Sequence, residues 1–388
     1  MKKNLLFVAL TGAALVSSCV SDEVVNVQEQ QKQVRIGFSS PVLYESAESR
    51  ANCQGEITGT YKYDGSIGEY TYPQEENFKI FAIQHKGEFI SWTETETTHF
   101  AEFNNQDLSY DRKVDAWAPK KADGGYCYWP IGEKMSFAAM SPADLETVEE
   151  KTAVSYGDNG LTIKDFVVPA VERQFDLMYS NRITNQTSAN MGGGSADHYS
   201  GIPLVFKHAL SSIHFSLKVD PEVTETVVLT SIELCNAVNK GTFSENIGNK
   251  PTWDIINGST VNYTAFTGAV TFPFEPQYVS ALAASDTEDD KIDNIEDKSH
   301  ALLILPQEFT NDLIIKVNYN VGDEPSYREI QVNKYPEGEG VNPLVAWEVG
   351  HRYTYRLYYS EESEKADMIY FAPSVEGWIP EPTIVVRL

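Results

Sequence analysis

Apolar and polar residues along this chain alternate with a period of two far more often than they follow a helical period. Val34, Ile36 and Phe38 alternate with Arg35 and Gly37 and predict the first strand. Phe78 to Ile83 predicts a second, and Met135, Phe137 and Ala139 place one face of a third. Asp165 to Val168 and Leu177 to Ser180 predict short strands. The second half is cleaner. Ile213, Phe215, Leu217 and Val219 form one alternating face, and Val228, Thr230, Ile232 and Leu234 form another. Leu313 to Val321 and Tyr353 to Tyr359 repeat the pattern, and Ile384, Val386 and Leu388 close the chain. Ser141-Pro142-Ala143-Asp144 reads as a helix cap with proline in first position, opening a short helix toward Lys151. Many short strands with turn residues between them predict an all-β protein of sandwiches or barrels.

The first residues break this pattern and read as a targeting signal. Lys2 and Lys3 precede a short apolar run, Leu5 to Val16, and small residues lead into Cys19. A bilayer-spanning helix needs about 20 apolar residues, so this run suits a signal-peptide core instead. Small residues ending in Cys are what a bacterial lipoprotein signal peptidase requires, which predicts a signal peptide over 1–18 and lipid attachment at Cys19. Two or three acyl chains there would hold the protein firmly, where one holds it marginally. Val20 to Glu23 resembles the short acidic signal that sends Bacteroidales lipoproteins to the outer face of the outer membrane. Residues 19–33, rich in Gln and Glu, then read as a lipidated flexible tether.

Without residues 1–18, 370 of the 388 residues remain, more than one ordinary β-sandwich needs and suited to two domains. The Ser-, Asn- and Gly-rich stretch 185–201, with Gly192-Gly193-Gly194, is the expected linker between an N-terminal domain at 34–184 and a C-terminal domain at 202–388. The net charge of −26, from 56 acids against 30 Lys and Arg, becomes −28 when Lys2 and Lys3 leave. Such a balance excludes nucleic acid as a partner and argues against electrostatic attachment to anionic lipid. With Cys19 committed to lipid, Cys53, Cys127 and Cys235 remain; their spacing fits no zinc site, and buried free thiols are expected rather than a disulfide.

Ordered short motifs across most of the chain resemble the fimbrillin-like lipoproteins of Bacteroidales. They are Tyr128-Trp129-Pro130 followed by Met135 to Ala139 and Ser141-Pro142; Asp176-Leu177-Met178-Tyr179; Leu204 to Leu210, with His208; Leu303 to Pro306; Trp347, Gly350, Tyr353, Tyr355 and Leu357; and Val375 to Trp378. The resemblance implies two tandem transthyretin-like Greek-key β-sandwich domains and a part in adhesive fimbriae. It also implies that a trypsin-like protease removes the leading strand and that a strand from the next subunit fills the groove, which is β-strand addition used to polymerise. On that reading Val34, Ile36 and Phe38 are the displaced strand. Arg50 and Ala51 flank the processing site, with Arg35 and Lys62 as poorer ones, and Ile384, Val386 and Leu388 are a candidate donor strand. The implied partners are other fimbrial subunits, the outer membrane through the lipid, and host or bacterial surface ligands.

The chain offers no nucleophile elbow, zincin, P-loop or dinucleotide motif, so neither an enzyme nor a cofactor is expected. His208 and His214 read as structural histidines on one strand face. The acidic run Asp286 to Asp297 lacks calcium-loop spacing and reads as a solvated loop. The alternative function is a glycan-binding surface lipoprotein of a polysaccharide-utilisation system. For that reading Trp92, Trp117 and Trp253, near polar loops, are the tryptophans freest to stack on sugars, while Trp129, Trp347 and Trp378 belong to the motifs; core packing is the expectation for each one.

Overall fold

A computed structural model of the chain describes residues 35–39, 42–43, 62–64, 69–72, 74, 76–93, 97–99, 106–113, 116–148, 152–188, 201–256, 258–272, 277–279, 302–334, 344–360, 379–380 and 384–387. Among them the fold is all-β; the one α-helix is a single turn, Leu145–Val148. Ser141 is the last residue of the strand Lys134–Ser141 and Pro142 precedes the helix, so the expected cap at Ser141 is instead a strand end. No described helix is long and apolar enough to cross a membrane.

The largest sheet runs in the order Lys62–Asp64, Glu69–Thr71, Val42–Leu43, Val205–His208, Met178–Ser180, Lys134–Ser141, Phe78–His85, Thr97–His99. Its two central strands are buried on both faces. Phe78, Ile80 and Ala82 with Met135, Phe137 and Ala139 enter one apolar cluster, while Phe81, Ile83 and Met140 enter another. That double burial is why these segments read as nearly continuous apolar runs rather than clean alternation.

The second cluster is shared with three further sheets. Ala153–Gly157, Gly160–Val167, Lys240–Ser244 and Thr252–Ile255 form one. Thr260–Thr271, Val227–Val238, Ile314–Val321 and Glu324–Gln331 form the next. The last is built on a parallel pair, Ser211–Val219 beside His351–Tyr359, with Ile384–Arg387 parallel to the latter on its other side. Ile213, Phe215, Leu217 and Val219 are all buried, as their alternation predicts. Strand pairing crosses the 185–201 segment repeatedly. Val205–His208 joins the largest sheet through Met178–Ser180, and Gly160–Val167 pairs with Lys240–Ser244.

Trp92 and Trp117, near polar loops in the sequence, pack in the core. Trp117 is fully buried, and Trp92 lies beneath the guanidinium of Arg182, which also covers Phe89 and Tyr156 at 5.1–5.5 Å from the ring centroids. Cys127 is buried and Cys235 half-buried; Cys53 lies outside the described residues.

Glu245 is a buried carboxylic acid at the turn of the Ala153–Gly157 and Gly160–Val167 hairpin. It accepts the Leu161 N–H at 2.8 Å, and a side chain at Gly160 would collide with it. Burial raises its pKa, against the smaller opposing effects of the Leu161 N–H, Arg182 and Lys207. A raised acid holds its proton more tightly in the folded state. Its contribution to stability is therefore complete below the ordinary carboxyl range and is lost as pH rises through the folded value. Glu245→Gln is expected to flatten the fall in melting temperature between acid and neutral pH, read by thermal melts across that range.

Candidate functional site: the seat of the leading strand

The first described segment, 35–39, is extended and bonded on both sides. On one side the Ile36 N–H donates to the Cys127 carbonyl at 2.9 Å. The Phe38 N–H donates to the Trp117 carbonyl at 2.9 Å, and Trp117 N–H returns a bond to the Phe38 carbonyl at 3.3 Å. On the other side the Ile202 N–H donates to the Gly37 carbonyl at 3.0 Å, and Ser39 Oγ donates to the Ile202 carbonyl at 3.3 Å. The chain then continues as Val42–Leu43, parallel to Val205 and Phe206 and antiparallel to Thr71. Rims at 117–128 and at 201–206 thus hold the segment between them.

Extended geometry sends alternate side chains the same way. Ile36 and Phe38 both enter the first apolar cluster and have no exposed surface. Phe38 meets Phe78 and Phe137 edge to face, with centroids 6.1 and 5.5 Å apart, an arrangement that favours the ring quadrupoles. Trp117, whose backbone forms the rim, stands beside the same floor: its ring is 5.9 Å from both Tyr72 and Phe78. Gly201 allows the close approach on the opposite rim. It has φ +77°, and a Cβ placed there would lie 2.1 Å from the Ser39 nitrogen.

Arg35 lies at the mouth. Its guanidinium sits 4.8 Å from the centroid of the Tyr126 ring, and Tyr126 Oη donates to Asp111 at 3.0 Å. Lys120 pairs with Asp111 at 2.9 Å, and that bond, helped by the Lys113 N–H, holds the Asp111 carboxyl down to about 2. This ionic and aromatic lid orders the loop that carries the Trp117 and Cys127 rim.

Of the residues singled out from the sequence, Ile36 and Phe38 meet in the seat. Val34, Cys19, Arg50, Ala51 and Leu388 lie outside the described residues. Ile384 and Val386 belong to Ile384–Arg387, which runs parallel to Tyr355 through Tyr358 at the edge of the last sheet. Lys62 begins the strand Lys62–Asp64. Sequence reasoning did not find the rims. Trp117, Cys127 and Ile202 are remote in sequence from the strand they hold; the one local signal was the glycine at 201 ahead of Ile202.

His208 and His214 do not share a strand face, because they fall on different strands in different sheets. His208 Nδ1 instead lies 2.7 Å from Asp176 Oδ2, both buried, so two of the motifs quoted above meet in the interior. His214 Nε2 bonds Ser212 Oγ at 2.9 Å. Among the described residues no group of three or more His, Cys, Asp or Glu could hold a metal ion.

Among the described residues the extended segment 35–39 is thus held between two rims in an all-β frame. A sequence profile described as fimbrillin-like matches residues 71–378, and the chain belongs to that family. No curated protein matches it. Among solved structures it is similar to a candidate cell adhesion protein from Bacteroides uniformis, at 12% identity and a TM-score of 0.45, over 91% of this chain and 98% of that one. It is similar to another from Bacteroides ovatus at 11% identity and a TM-score of 0.42, over 89% and 99%. A fimbrial protein from Bacteroides ovatus is similar at 11% identity and a TM-score of 0.32, over 92% of this chain and 50% of that one.

Proposed function

We propose that this protein is a non-catalytic structural or accessory subunit of adhesive surface fibres that assembles by exchanging its leading strand for one from a neighbouring subunit. The observation that carries the reading is the seat itself. Residues 35–39 are bonded along both edges, with Ile36 and Phe38 fully buried. Loss of the segment would uncover the Cys127 and Trp117 carbonyls and the Trp117 and Ile202 N–H groups, together with two empty apolar sockets. Unpaired backbone of that kind is a template for another strand. Burying one Ile or Phe side chain is worth about 1.5–3 kcal/mol, so two sockets supply a driving force for refilling.

Ile384, Val386 and Leu388 repeat the i, i+2 apolar spacing that the seat accepts from Ile36 and Phe38. In this reading they leave their own sheet edge to enter the next subunit. Cleavage after Arg50 frees the leading strand, and Cys19 lipid holds the uncut chain at the outer membrane surface until then. A subunit that is never cut keeps its lipid and serves as an anchor.

The N-terminus of the protein in purified surface fibres tests this. Mass spectrometry is expected to find chains beginning at Ala51. Acylated Cys19 on every fibre-bound molecule would contradict a polymerising role.

A further inference from the structure

A second feature lies away from the leading-strand seat: a cleft of about 750 Å³ between Thr252–Ile255, the 306–310 segment and the 346–351 segment. Sites for small organic ligands run to about 300–1,000 Å³ and favour the junctions between packed layers. Its walls come from the second half of the chain, with Tyr179 reaching it from the first.

Its aromatic wall is Trp253, the one tryptophan of Trp92, Trp117 and Trp253 that is not buried. The indole is fixed in position. Its Nε1–H donates to the Ala209 carbonyl at 2.7 Å, and its ring rests on Phe166 and Phe243 with centroids 5.6 and 5.3 Å away. An aromatic plane anchored from behind and open in front offers a flat apolar face at little entropic cost.

The polar wall is equally anchored. The Glu348 N–H donates to Tyr353 Oη at 2.8 Å, and its carbonyl accepts Ser211 Oγ at 2.8 Å. Its carboxylate stands 3.2 Å from Lys250 Nζ and 3.6 Å from His351 Nε2. Across the cleft Glu308 is exposed, on a backbone bridged to Ala346. The cleft therefore presents acceptors and donors of both charges on an anchored backbone. An anion would meet Glu308 and Glu348, and a cation would meet Lys250. A neutral molecule carrying both hydroxyl donors and acceptors around an apolar C–H face satisfies the whole set.

We infer that this cleft binds a neutral saccharide, with a pyranose ring stacked on Trp253 and its hydroxyls bonded by Glu348, Lys250 and Glu308. The site is independent of strand exchange. An extended peptide is the competing occupant, because Thr252–Ile255 pairs only with Lys240–Ser244 among the described strands.

Calorimetry on the full chain separates the two. The probes are neutral oligomers of glucose, mannose, galactose and N-acetylglucosamine, with a peptide of residues 383–388 as comparator. At least one sugar is expected to bind with Kd at or below about 1 mM. Binding should weaken at least about tenfold in Glu348→Ala and in Trp253→Leu. Glu308→Ala, an exposed change that leaves the core intact, should weaken it as well, which covers the case of a Trp253 variant that fails to fold. Absence of binding by every sugar at millimolar concentration would overturn the inference. So would sugar binding unchanged in the Glu348 and Glu308 variants, or heat from the peptide alone.

Discussion

Phe38→Ala is expected to lower the stability of the uncut protein by about 3–5 kcal/mol, the range for emptying a fully buried Phe site. The residue has no exposed surface, and its ring closes the edge-to-face contacts with Phe78 and Phe137. The seat's floor is made of strands locked in the centre of the largest sheet, so it cannot collapse to fill the void. The loss should show as a shift of the urea midpoint with little change in slope. The same variant should shed its leading strand faster once cut, because half of the apolar hold on that strand is gone while both backbone rims remain. Assembly after cleavage should therefore be quicker than in the parent protein. A loss of assembly with Phe38→Ala would show that the ring belongs to the frame rather than to the plug.

Gly201→Val is expected to act on the seat instead of the plug, and with a larger effect. At φ +77° a non-glycine residue is strained by about 1–2 kcal/mol. More seriously, its Cβ would fall 2.1 Å from the Ser39 nitrogen, on backbone that has no rotamer to move away. The leading segment is expected to be expelled from the 201–206 rim and to become sensitive to protease within 35–43. An incoming strand on the same path would meet the same obstruction. Gly201→Val should thus block assembly even after cutting, whereas Phe38→Ala should hasten it. Opposite effects from two changes at one site distinguish a strand-exchange seat from an ordinary piece of core, in which both would simply destabilise. Size-exclusion chromatography with light scattering reads the outcome.

How much of this was legible in the sequence depends on how local each feature is. The alternation at Ile213 to Val219 and at Tyr353 to Tyr359 marks strands whose one face is buried, and both are strands in the last sheet. Ile36 and Phe38 were legible for the same reason. Glu324–Gln331 was not, because its first four residues are exposed and Pro325 is compatible only with an edge position. Thr260–Thr271 was hidden differently: its pairing with Val227–Val238 shifts register three times, which breaks the period of two. The rims of the seat were illegible because strand pairing joins residues far apart in the chain. Nothing near Phe38 announces Trp117 on one side and Ile202 on the other. Trp92 and Trp117 stand near polar loops in sequence yet pack in the core, where Arg182 covers one and the leading-strand cluster surrounds the other.

Strand exchange, as proposed, makes residues 35–43 a removable plug in a seat that accepts another subunit's strand. Its most direct measurement is the mass of the particle formed when the purified chain is cut after Arg50 by a trypsin-like protease. The expected result is loss of the leading fragment and conversion of monomer into whole-number multiples of the cut chain. A chain ending before Ile384 and cut in the same way should remain monomeric. If the cut chain stays a monomer with the 35–43 fragment still bound, or if the chain lacking its last strand assembles equally well, the account is contradicted.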